Sequence, residues 1–131
     1  MHEKQIENLL NHSAQERVDY FIRYCADFEA VWGVVVGEDN WAIINGVDDD
    51  EIFLVWPHEK LVEHCMFDEH REMNATPQAI SIDAFINHCI PDMARQEVLF
   101  GVFFGKDRQG MALPAETLKL ALEKELAEHT D

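Results

Sequence analysis

Between Val31 and Trp56 the chain alternates short apolar runs with polar breaks: VWGVVVG, then DNWAIIN, then EIFLVW. Runs of this length, rich in β-branched and aromatic residues and separated by turn residues, suit strands, so the pattern predicts a three-strand meander. Trp32 to Val36 is the first strand, Gly37 to Asn40 the turn, and Trp41 to Ile44 the returning strand. Asn45-Gly46 opens a second connection through Val47-Asp48-Asp49-Asp50, after which Glu51 to Trp56 forms the third strand. The four adjacent acids Asp48 to Glu51, three of them in that connection, must sit in water. Pro57 cannot continue a central strand but suits the first turn of a helix, so His58 to Met66 is predicted helical with Leu61, Val62 and Cys65 inward.

Helical periodicity brackets the meander. Glu3 to Leu10 carries a small stripe of Ile6, Leu9 and Leu10. Ser13 and Glu16 have the spacing of a capping box, which starts a helix whose inward face is Val18, Phe21, Ile22, Cys25 and Phe28, with Arg17, Asp19, Arg23 and Asp27 outside. Phe67 to Thr76 is polar and unpatterned, a loop of about ten residues that Pro77 ends. Ala79 to Ile82 is a short strand, and Asp83 caps a helix bearing Ala84, Phe85, Ile86 and Cys89. Pro91 should interrupt that helix and begin one more turn, to Gln96, at a changed angle. Glu97 to Gly105 is nearly continuously apolar and reads as a central strand. Met111 to Leu113 is a brief strand, and Pro114 opens a last helix with Ala115, Leu118, Ala121, Leu122 and Leu126 inside. The expected architecture is α+β: one domain over residues 1–131, a mainly antiparallel sheet of five or six short strands, and helices packed on one face.

Composition narrows the class of partner. With 131 residues, 47% of them apolar, the chain has material for one hydrophobic core and not two. Ten Lys and Arg stand against 26 Asp and Glu, a formal charge of −16 distributed along the chain. Such a field repels phosphate backbones and anionic lipid heads, which argues against nucleic acid and membrane surfaces and in favour of a basic protein partner. No apolar run is long enough to span a bilayer, and Met1-His2-Glu3-Lys4-Gln5 lacks the apolar core of a secretory signal, so a cytosolic location is expected. Cys25, Cys65 and Cys89 are odd in number, widely spaced and each on the apolar side of a predicted helix. They read as reduced, packed thiols, neither a disulfide framework nor a zinc ribbon.

Few residues suggest chemistry. His58-Glu59, Glu63-His64-Cys65 and Asp68-Glu69-His70 form the densest set of metal-ligand types, but position 62 is Val62, so the H-E-x-x-H pattern of zinc proteases is absent. The pairs His64-Cys65 and His88-Cys89 diverge by about 100° on a helix, too far for either to make its own nucleophile and base. There is no G-x-S-x-G elbow and no glycine-rich phosphate cradle. Asp48-Asp49-Asp50-Glu51 lacks the alternate spacing and central glycine of a calcium loop. Trp32, Trp41 and Trp56 are either core residues or the lining of a partner surface.

The order of features is nevertheless familiar. Trp32-Gly33, Trp41, Leu54-Val55-Trp56-Pro57, Ile82-Asp83-Ala84-Phe85, Ile90-Pro91, the Val98 to Phe103 strand and Leu113-Pro114 together resemble domain-of-unknown-function family 2750, over roughly Ser13 to Ala127. The resemblance implies a fold and a bacterial cytosolic setting, and it carries over no activity or catalytic residue. Two functional readings follow from the residues. The first is a non-enzymatic protein-binding or regulatory module, inhibitor-like or immunity-like, that meets a basic protein through an acidic surface including Trp32, Trp41, Asp48, Asp49, Asp50, Trp56 and His58. The second is a small-molecule or metal-binding domain, or an enzyme, with a pocket near Trp32, Trp56 and His58 in which the His58 to His70 segment forms one wall. Neither reading implies a cofactor, no catalytic or metal residue is assigned, and a homodimer is left open.

Overall fold

The apolar runs of the meander become strands, but the returning one breaks in two. β1 (Ala30–Val36) turns through Gly37, whose φ of 74° is a left-handed value that glycine adopts without strain, into β2 (Asn40–Trp41). Past Ala42 the chain continues as β3 (Ile43–Asn45). β2 pairs antiparallel with β1, whereas β3 pairs antiparallel with β4 (Glu51–Val55). One strand thereby leaves the first sheet and enters the second, which is how corners between packed sheets are made. The two sheets meet again where Trp32 and Trp56 exchange backbone N–H···O bonds of 2.9 and 2.7 Å. The structure is a computed structural model that describes residues 1–46 and 48–129. Val47, in the expected second connection, lies outside the described residues.

Three further strands complete the sheets: β5 (Thr76–Ser81), β6 (Leu99–Val102) and β7 (Met111–Leu113). The strand orders are β2-β1-β5 and β3-β4-β6-β7. The class is α+β as expected, but seven short strands in two sheets take the place of one sheet of five or six. Only the β4–β6 pair is parallel among these ladders. β6 is flanked on both edges and largely buried, as its continuous apolar run predicts. Pro77 lies inside β5 and does not precede it, which the sheet accepts because β5 is an edge strand and one missing N–H can face away from the ladder.

The helices follow from their caps. α1 (Glu3–Leu10) buries Ile6 and Leu9. α2 (Ala14–Phe28) begins at the capping box: Glu16 N donates to Ser13 Oγ at 3.1 Å, and Ser13 N donates to the Glu16 carboxylate at 2.9 Å. Its stripe is rotated from the expected one. Arg17, placed outside by periodicity, is 6% exposed, while Phe28, placed inside, is 65% exposed. Arg17, Phe21 and Cys25 stand at successive i, i+4 positions and share the buried face, so the long arginine stem packs with them. α3 (Glu59–Cys65) starts after His58, whose Nδ1 accepts the Lys60 N–H at 3.0 Å, and it buries Leu61, Val62 and Cys65 completely.

Two expectations about the middle of the chain are corrected. The segment from Phe67 to Thr76 is not a plain loop: α4 (Asp68–Glu72) occupies half of it, anchored by Phe67 and His70, both buried. Acids in its first turn and Arg71 in its last complement the helix dipole, a signal that apolar periodicity does not carry. Nor does Pro91 stop its helix. α5 (Ile82–Ala84), capped by Ser81 and not by Asp83, runs into a π-helical turn over Phe85–Cys89 and then α6 (Ile90–Arg95). The Ile90 N–H reaches back to Phe85 O, and this wider turn makes room for a proline ring that an α-turn would exclude. α7 (Ala115–His129) follows Pro114 and packs on α2, α6 and β6, with Leu118 and Leu122 sealed.

At the centre, Phe53 lies 5.5 Å from Phe100, which lies 5.3 Å edge-on from Phe85. Each ring is essentially unexposed, and burial of such a side chain contributes about 1.5–3 kcal/mol. Trp41 extends the row outward, 5.5 Å from Phe53. The aromatic core therefore runs from the π-helical turn to the bent strand.

Candidate functional site

The residues singled out by sequence scatter. Trp56 is wholly buried, and its indole N–H donates to Phe104 O at 2.9 Å, so it is a satisfied core residue. Trp32 is half-buried on β1. His58 caps α3 with its ring edge-on to Tyr24 at 5.9 Å, and burial, more than the nearby amino terminus, lowers its pKa. Asp48, Asp49 and Asp50 are exposed. Trp41 is half-buried on β2, covering Gly33 so closely that a Cβ there would fall 2.8 Å from its ring.

No nucleophile is activated among the thiols. Burial pushes Cys25 well above its ordinary value, Cys65 to about 11 and Cys89 to about 12. These are protonated, poorly reactive groups at neutral pH. Among the described residues no three His, Cys, Asp or Glu side chains gather in a way that would hold a metal ion.

The bent strand offers a more connected surface. A groove of about 520 Å³ runs beside β2 and β3, between them and α4. Trp41, Ile43, Ile44 and Met73 supply its apolar part; Asn40, Asn45, Glu69, His70 and Arg108 supply the polar part. Ile43 and Met73 are 37% and 56% exposed, and they lie together on this groove, whereas the other exposed large apolar side chains, Phe28 and Leu120, do not line it. His70 is 7% exposed, its ring stacked on Phe67 at 5.7 Å, and its sealed Nδ1 has no hydrogen-bond partner. Burial lowers its pKa, which favours the neutral imidazole.

Arg108 bounds the groove. Its backbone is left-handed, with φ of 65°, and its guanidinium lies 4.2 Å from the centre of the Phe67 ring while pairing with Glu69. That hydrogen bond is the main cause holding the Glu69 carboxyl below its usual range. Lys106 reaches the neighbouring Asp68 at 3.5 Å. The loop between β6 and β7 is thus held to the start of α4 by two adjacent ion pairs.

Acids stand at both ends of this strand. A second hollow, about 350 Å³, shares Ile44, Asn45 and Arg108 with the first and adds Asp48, Asp50, Ile52 and Phe104. A third, about 470 Å³, shares Trp41 and is lined by Glu38, Asp39 and Gln78. Sequence reasoning identified Trp41 and the Asp48 to Asp50 turn, and singled out Glu69 and His70 only as metal-ligand types, but missed Glu38, Asp39, Met73 and Arg108. One signal for Arg108 was available: Asp68-Glu69 and Lys106-Asp107-Arg108 are complementary in charge, although nothing local reveals that they meet.

Among the described residues no helix is long and apolar enough to cross a membrane. No curated protein and no solved structure matches the chain. The family model described as "Protein of unknown function (DUF2750)" matches residues 18–122, a span that runs from α2 through the bent strand, α4 and the Arg108 loop into α7. The resemblance expected over Ser13 to Ala127 is accordingly met in all but a few residues at either end, and the chain belongs to the DUF2750 family.

Proposed function

We propose that the protein is a non-enzymatic binding module that recognises a basic protein partner, and that the bent strand β2–β3 with α4 is its docking face. The observation that carries this reading is the layout of that strand: an apolar groove around Trp41, Ile43 and Met73, with acids at one end in Glu38 and Asp39 and at the other in Asp48 and Asp50. Exposed apolar side chains supply desolvation energy at the centre of an interface, while rim carboxylates steer a cationic partner and set its orientation. A net charge of −16 gives the same preference at long range.

The reading favours protein binding over a small-molecule pocket at Trp32, Trp56 and His58, because Trp56 is sealed and His58 spends its Nδ1 on a cap. It is tested by titrating the protein with short peptides that alternate valine with arginine, with glutamine or with glutamate. Binding of the arginine peptide alone, weakening as salt rises and shifting the amide resonances of residues 40–45, is the expected result. Equal binding of the glutamate peptide, or no binding of any, overturns the reading.

A further inference from the structure

The start of α4 is already holding a cationic segment, one that belongs to the chain itself. Lys106 and Arg108 are alternate residues of the β6–β7 loop, and they pair with the adjacent Asp68 and Glu69. Arg108 adds a planar contact on Phe67. A carboxylate beside an aromatic face favours guanidinium over ammonium, because a flat, weakly hydrated cation lies against the ring while its N–H groups reach the carboxylate, whereas the compact lysine ammonium stays more strongly hydrated and cannot stack. The side chains of the Arg108–Glu69 pair are 49% and 53% exposed, so the contact is open to competition from outside.

Resting on the docking face proposed above, we infer that Phe67 and Glu69 form an arginine-binding site which Arg108 occupies in cis, and that an extended, arginine-bearing segment of the basic partner takes its place. Arg108 lines both the groove beside α4 and the hollow at Asp48 and Asp50, so it divides one continuous track. Displacing it joins the two. Among the described residues β3 is an edge strand of its sheet, so the extended segment has a sheet edge to lie along as its arginine reaches Phe67. Arg108 holds its position from a left-handed backbone, a conformation uncommon outside glycine. The side chain can leave Phe67 while the loop backbone keeps its own hydrogen bonds, Arg108 N to Gly105 O and Gly105 N to Gln109 O.

The arginine–valine peptide is titrated into the wild type, Arg108→Ala and Arg108→Ala combined with Glu69→Gln. Removing the internal competitor should tighten binding about fivefold, from one exposed ion pair and one cation–π contact, and the added Glu69→Gln should cancel that gain. A lysine–valine peptide should gain less from Arg108→Ala, since it cannot stack on Phe67. If Arg108→Ala does not fold, Arg108→Lys keeps the charge, loses the stack, and should give an intermediate gain. Affinity that is unchanged or weaker in Arg108→Ala overturns the inference. If the peptide nevertheless binds the wild type along residues 40–45 in a salt-dependent way, the docking face survives without the arginine site. If no cationic peptide binds any variant, both fall together.

Discussion

Trp56 and Trp41 are contributed by strands of one meander, and the environments around them are opposite. At Trp56 the structure is closed: the indole has no exposed area, its N–H is matched by Phe104 O, and the nearby Cys65 thiol is pushed up to about 11 by burial. Around Trp41 the structure is unfinished. The ring packs towards Phe53 and over Gly33, yet it is only half-buried and lines a groove shared with exposed Ile43 and Met73 and with His70, whose buried Nδ1 lacks a partner. The difference teaches that aromatic content alone does not distinguish a core from a surface. Full burial with a partner for the indole N–H marks the first, and a half-exposed ring marks the second.

The largest test of that contrast is a pair of truncations. Trp56→Ala should cost about 3–5 kcal/mol in chemical denaturation, as for other large core rings. Trp41→Ala should cost clearly less, because part of its area is already in water. Equal losses would place Trp41 in the core and remove the contrast.

The thiols sharpen the closed side. Cys25 and Cys65 are buried and Cys89 partly so, and all three have raised pKa values. Alkylation at neutral pH should be slow in the folded protein and fast once denaturant exposes the same groups. Rapid native labelling of Cys65 would show that the corner opens readily.

His70 gives a smaller effect on the other side. Because burial lowers its folded pKa below the unfolded value, the unfolded chain binds its proton more readily. Its contribution to stability is therefore complete above about pH 6.5 and is lost as pH falls through the folded pKa. His58 is shifted in the same direction and adds to the slope. His70→Phe should flatten the fall in stability on acidification without abolishing it; an unchanged slope would mean that His70 is hydrated when folded.

Smallest in stability, and most telling for function, is Met73→Ala. Met73 closes α4 beside the left-handed Asn74, but alanine keeps that backbone, so truncating this exposed side chain should change folding by about 0.5 kcal/mol or less. Its loss should weaken the arginine peptide all the same. A variant that binds as well as the wild type would move the apolar centre of the interface elsewhere.

Much of the fold was legible because its signals are local. The Ser13–Glu16 box, the Leu61, Val62 and Cys65 face, the buried β6 run and the Pro114 start all rest on a few neighbouring residues. What escaped depends on distant partners. Nothing within Trp41 to Ile44 says that Ala42 parts two sheets; that follows from where β1 and β4 lie. Pro91 reads as a stop unless the π-helical turn before it is known. The site was legible in its acids, in Trp41, and in Glu69 and His70 as ligand types, but not as one surface. Its other half, Glu69, His70, Met73 and Arg108, comes from a segment without apolar rhythm and a turn nearly forty residues later, joined only by folding.

The strand that changes sheets at Ala42 also constrains the order in which the molecule can assemble. β1–β2 and β3–β4 join near neighbours in the sequence, so residues 30–55 can pair early at small entropic cost. β5 must return to β1, and β6 to β4, only after the intervening helices have been laid down. Such distant ladders are slow to close, and refolding on the scale of milliseconds to seconds is the kinetic signature to expect, with the twice-joined corner as its starting point.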